Sequence, residues 1–292
     1  MKQKYHIIFT IISLFGVILI SGCIELKTNS NVTDVYDFPT KLGTPEWQKF
    51  NSHDEMVKVT QIPESLLSKM STRGLVETVL NYPLYGDWLA YYNLQKGFDN
   101  VVAQFNGLQE LMKRKGAATV LLAKYRTMNP EVINRSWSLE KQGEYDSNFA
   151  YIEMLLAQDI TLTKLTEAER CDLLTEAVKK IGSKQKYVDI YGYFGQERTI
   201  VLLGRILQQA NYTPFTKKIN QDEALESFLE NAGFSEITSL STESILNSTF
   251  LIKAINQSEG NGILINEAAA LESISEETLL QTQQFLFTYC KS

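Results

Sequence analysis

Two charged residues sit where charge is least expected. Glu153 lies in the apolar run Tyr151-Ile152-Glu153-Met154-Leu155-Leu156, and Arg205 lies in Leu202-Leu203-Gly204-Arg205-Ile206-Leu207. If both face inward, they form a buried, hydrogen-bonded ion pair, which is costly to bury and harmful to break on one side only. A carboxylate and a guanidinium so placed also suit substrate binding or acid–base work, with Gln158 and Asp159 as neighbours. A second candidate is aromatic. Tyr82, Tyr85, Trp88, Tyr91 and Tyr92 either form a patch that stacks on sugar rings or grips peptide, or line one face of a helix packed in the core. Core packing is the default for such spacing.

Other chemistries are short of residues. The chain has two histidines, His6 and His53, so a Ser-His-Asp or Cys-His site would have to use His53. That residue follows a helix-capping serine, where a solvated polar side chain is ordinary. The spacing of His and Cys offers no zinc site. Ser258-Glu259-Gly260-Asn261-Gly262 lacks the Gly-Lys-Ser/Thr ending of a phosphate loop and reads as a turn. No Gly-x-Ser-x-Gly elbow or calcium loop is present, and nothing calls for a cofactor or a metal. The lysines and arginines at 113–115 and at 179, 180, 184 and 186 fall near expected helix ends, where cations favour the dipole and solvent.

Helical signals must position these residues. Ser52-His53-Asp54-Glu55, Thr166-Glu167-Ala168-Glu169 and Asn220-Gln221-Asp222-Glu223 read as helix starts. Apolar stripes follow at 108–112, 118–125, 149–156, 173–181, 225–232, 245–252 and 279–290, and Gly233 is placed to end one of them. Residues 196–210 are apolar nearly all round, as in a central buried helix. Gly262-Ile263-Leu264-Ile265 is either a short strand or a buried connector. The expectation is an all-α fold of about ten helices, as an irregular bundle or a stacked helix-pair array, over residues 46–292.

The N-terminus carries the most specific pattern. Lys2 and Lys4 precede a 14-residue uncharged run, Ile7–Ile20, which is short for a membrane span. Ile20-Ser21-Gly22-Cys23 follows and resembles the lipobox of bacterial lipoproteins. The resemblance implies a signal peptide (1–22) cleaved before Cys23, and acylation of that cysteine. Several acyl chains then anchor the protein to the membrane. Ile24 in place of an aspartate points to the outer membrane in an organism with two membranes. Residues 23–45 are polar and read as the lipidated cysteine and a flexible tether, whose Val35–Phe38 stretch has the character to dock on the body.

The mature region also resembles an uncharacterised group of helical secreted or lipid-anchored bacterial proteins. The resemblance rests on Leu80–Leu84, Gln104–Gly107, Tyr151–Gln158, Lys184–Tyr187 with Tyr191-Gly192, and Leu203–Leu207. It implies an envelope-located helical protein and no particular mechanism.

Removing residues 1–22 takes the charge from 28 basic and 34 acidic residues to 26 and 34, a net of −8. An acidic chain argues against nucleic acid as a partner and against adhesion to anionic lipid by charge, leaving the lipid anchor as the membrane contact. Cys171 and Cys290 either pair or stay as buried thiols; the second is the default for residues 119 positions apart. The functional expectation is a lipid-anchored cell-envelope protein that binds or scaffolds an envelope protein or glycan without catalysis. The alternative is a carboxylate-dependent enzyme acting on glycan or peptide.

Overall fold

Twelve α-helices and three 3-10 turns, with no strand among the described residues, follow from the capping and stripe pattern. The structure is a computed structural model that describes residues 34–233 and residue 290. The N-terminal helices are α1 (His53–Val59), α2 (Glu64–Leu67), α3 (Thr72–Leu80), α4 (Leu94–Gln104), α5 (Asn106–Lys113) and α6 (Ala117–Thr127). The C-terminal set is α7 (Leu139–Leu156), α8 (Asp159–Leu162), α9 (Glu167–Gln185), α10 (Val188–Gln209), α11 (Thr213–Ile219) and α12 (Glu223–Glu230). Cys23, the signal segment and the features expected at 245–252, 258–265 and 279–289 lie outside the described residues.

Local chemistry sets the helix starts. Thr166 and Glu169 form a reciprocal capping box. At α1 the Ser52 hydroxyl accepts from the Glu55 amide, while the Glu55 carboxylate takes the Asn51 amide, one residue earlier than the simplest box. The start expected from Asn220 falls two residues later, with Asp222 as the cap. The end of α12 is a Schellman turn closed from the Gly233 amide to the Phe228 carbonyl; Ala232, at φ 56°, takes the left-handed position ahead of the glycine.

The core forms where α10 packs on α7 and α9, with α8, α11 and α12 against its other faces. α6 bridges to this layer through α7 and α9, and α3 packs on α5, α6 and α7. Residues Ile200–Leu203, Ile206 and Leu207 of α10 are buried, as the all-round apolar pattern requires. The helix is interrupted at Gly192 (φ 55°, ψ −160°), a conformation open in practice to glycine alone.

The body starts well before the expected residue 46. Asp34 accepts from the amide and hydroxyl of Ser71, and the Tyr36 amide donates to Thr78 Oγ1 at 2.9 Å. Phe38 is buried against Tyr82 and Phe105, which stack on each other at 3.8 Å. The strap passes so close to α3 that a Cβ on Gly74 would lie 2.8 Å from the Asp34 carbonyl oxygen. The docking expected of Val35–Phe38 is therefore seen, and residues 34–38 belong to the body rather than to a free tether.

Candidate functional site

Glu153 is fully buried, but its partner is not Arg205. Lys184 of α9, also fully buried, reaches both carboxylate oxygens, at 3.1 and 2.9 Å. Tyr125 from α6 and Thr199 from α10 donate their hydroxyls to Glu153 at 2.8 and 2.9 Å. The Lys184 ammonium completes its shell with the Gly195 carbonyl at 2.7 Å and Thr199 Oγ1 at 2.9 Å. Four helices thus meet on one ion pair whose hydrogen-bonding capacity is filled. Burial, then the adjacent Glu153 charge, holds the Tyr125 phenol far above its ordinary range, so it stays a donor.

The sequence signal for this partner was available. Leu173, Ala177, Lys180 and Lys184 are spaced four, three and four apart, so both lysines continue the buried stripe of α9. The expectation that this basic group is a solvated helix end fails for Lys180 and Lys184 and holds for the exposed Lys179 and Lys186.

Arg205 does different work. Its guanidinium donates to the carbonyls of Leu229 and Glu230 in the last turn of α12, to the Ala157 carbonyl at the end of α7, and to Gln95 Oε1. It caps two helix C-termini, where carbonyl dipoles supply the negative end that a carboxylate would otherwise supply. The expected Glu153–Arg205 pair is therefore replaced by two separate polar centres. Gln158 contributes to the second, exchanging side-chain hydrogen bonds with Gln95, and Asp159 sits at the surface beside it.

Asp146 lies two turns before Glu153 on the same side of α7. Its Oδ1 is buried with no hydrogen-bond partner among the described residues. Burial pushes its pKa up to about 6, with Lys184 opposing and Glu153 adding to the rise. Gly195 makes the approach possible: a Cβ there would lie 2.3 Å from that oxygen. Glu197 and Arg198, neighbours on α10, form another buried pair; Arg198 also donates to the Ala232 carbonyl. Their pairing is not foreshadowed by the apolar character of the helix.

The aromatic group does not share one helix face. Tyr82 follows α3, Tyr85 and Trp88 lie in the 3-10 turn Tyr85–Ala90, and Tyr91 and Tyr92 follow it. Tyr82 and Trp88 are in the core, Tyr85 is half-buried, and Tyr91 and Tyr92 are exposed. Burial pushes the Tyr82 phenol up to about 12. His53 opens α1 and meets Asp87 at 2.6 Å on the surface, with no hydroxyl hydrogen-bonded to it among the described residues. Cys171 and Cys290 are joined in a disulfide, with Cα atoms 5.5 Å apart. The expectation of two separate thiols is overturned because the fold returns the chain's distant segments to one place.

Two surface clefts are lined by described residues. One of about 490 Å³ surrounds Arg205, Gln95, Gln158, Asp159 and Gln208. All five guanidinium N–H groups there have oxygen partners within the fold, so Arg205 has no spare donor for a ligand. The other, of about 710 Å³, opens between the strap, the α3–Tyr85 link and the first half of α7. Tyr36, Phe38, Tyr82 and Tyr85 supply its aromatic side; Glu140, Glu144 and Asn148 supply its α7 side. Among the described residues no group of His, Cys, Asp and Glu is arranged to hold a metal ion, and no helix is long and apolar enough to cross a membrane. Comparison with protein-family models, with curated proteins and with solved structures gave no match.

Proposed function

We propose that this chain is a lipid-anchored cell-envelope protein, held by Cys23 in the outer membrane where two membranes exist, that works by binding an envelope component. The observation that carries the binding role is the 710 Å³ cleft, which falls in the size range of ligand pockets and combines half-buried tyrosines with polar groups. The fully buried Glu153–Lys184 centre, with its partners supplied from within the fold, reads as a device that holds four helices together. Export is supported separately by the Cys171–Cys290 disulfide, since such bonds persist in oxidising compartments. The carboxylate-enzyme alternative draws less support: Glu140 and Glu144 stand one turn apart on a single wall, whereas glycoside hydrolysis places its carboxyls on either side of the scissile bond.

Two measurements test this. Cys23→Ala should leave an unlipidated precursor, and normal lipid labelling of that variant would refute the anchor. Crosslinking in intact cells, followed by purification through the lipid-anchored chain, should recover a stoichiometric envelope component. Recovery of the chain alone would count against the binding role.

A further inference from the structure

The α7 wall of the large cleft carries charge that the fold does not neutralise. Glu140 and Glu144 are exposed, four residues apart on one helix face, and neither has a cation within pairing distance among the described residues. Like charges at this spacing repel each other. Glu140 is explained in part by its place in the first turn of α7, where the helix dipole favours an acid. Glu144, a turn further in, has no such compensation. Lys41, the basic side chain among the residues that line the cleft, pairs with Asp37 at 2.6 Å, and Lys141, next to Glu140 in the chain, lies over the Trp137 ring at 4.3 Å.

The opposite side of the cleft offers aromatic surface. Tyr36 and Tyr85 are half-buried, and Tyr36 is held edge-on to Phe38 at 5.1 Å. Tyr85 and Glu144 line the same cleft, and the Tyr85 phenol is raised above its ordinary range chiefly by burial, with the charge of Glu144 a smaller contribution. The Tyr36 ring and the Asn148 carboxamide line the cleft, and behind Tyr85, at a 5.1 Å ring separation, the fully buried Tyr151 hydroxyl has no hydrogen-bond partner among the described residues.

Resting on the binding role proposed above, we infer that this cleft takes a basic protein segment, seating a lysine or arginine side chain between the Tyr36 and Tyr85 rings and the Glu140 and Glu144 carboxylates. A guanidinium suits both walls at once, stacking on the rings and offering forked donors to the acids. Asn148 is available to the peptide backbone. The charge of the four acidic and basic lining groups, Asp37, Lys41, Glu140 and Glu144, is −2, which a dibasic segment neutralises.

The test is calorimetric titration of the detergent-solubilised, lipid-anchored chain with the tetrapeptide acetyl-Arg-Lys-Arg-Lys-amide at low and at physiological salt. An acidic tetrapeptide of equal length and a chitin-type tetrasaccharide serve as comparisons. The basic peptide should bind, weaken with salt, and lose about tenfold in affinity in the double variant Glu140→Gln/Glu144→Gln, roughly two surface charge pairs. Tyr85→Phe should retain binding and Tyr85→Ala should lose it, with circular dichroism reporting an intact fold in each. Equal binding of basic and acidic peptides, or an unchanged affinity in the double glutamine variant, overturns the inference. Binding of the tetrasaccharide alone overturns it while leaving the binding role standing. Binding of none of the three removes the cleft as the support for both.

Discussion

Replacing Glu153 with glutamine should be among the most damaging single changes in this chain. The side chain keeps its shape, and its carbonyl can still accept from Tyr125. Thr199 donates to that same oxygen and keeps its bond, but the amide takes the place of Oε2 and faces the Lys184 ammonium, which stood 2.9 Å from it. Lys184, wholly buried, keeps the Gly195 carbonyl and Thr199 but loses the one carboxylate hydrogen-bonded to it among the described residues. Breaking one side of a buried pair costs about 3–5 kcal/mol, against a total stability of roughly 5–15 kcal/mol. For a body of this size that corresponds to a fall in Tm of about 10 °C. Lys184→Met should cost a similar amount by stranding Glu153. The double variant should recover about 2–4 kcal/mol of the summed loss, because an unpaired charge is no longer buried. Glu153→Gln combined with Arg205→Met is the internal comparison. Those residues serve separate polar centres, so their effects should add within about 0.5 kcal/mol. The assay is urea denaturation followed by circular dichroism, with thermal melts alongside. Additive effects for Glu153 and Lys184, or coupling between Glu153 and Arg205, would refute the assignment of partners.

Other changes probe the same core. Asp146 should make stability fall as pH rises through its native pKa: the folded state holds the proton up to about pH 6, whereas the unfolded carboxyl releases it near 3.8. The stability lost across that interval is roughly 3 kcal/mol. Asp146→Asn should therefore be more stable than the parent at pH 8 and about equal to it near pH 4, and pH-dependent urea midpoints would show this; parallel profiles would contradict it. Mass spectrometry of the exported chain after alkylation without reductant should find Cys171 and Cys290 unmodified. Cys171→Ser should then lower stability by about 2–4 kcal/mol. Full alkylation of both cysteines would mean that the disulfide does not form in the cell.

Much of the helical framework follows from local chemistry that one stretch of chain contains by itself. Ser52, Thr166 and Asp222 cap helices because a short polar side chain satisfies first-turn amides a few residues away. Periodic leucines along α9 and α12 mark buried faces for the same reason. That Glu153 needed a buried partner was legible too, since an acid inside an apolar stripe has nowhere else to go. Which partner it takes was decided by packing. Lys184 reaches it where the side-chain-free Gly195 lets α10 approach α7 closely and offers its carbonyl to the same ammonium, while Arg205, further along α10, meets the ends of α7 and α12 instead. The aromatic residues between 82 and 92 scatter between core and surface because a 3-10 turn, not an α-helix, carries them. The joining of Cys171 to Cys290 and the cleft between residues 34–42 and α7 bring together side chains from distant parts of the chain, so their chemistry exists only once the tertiary fold has formed.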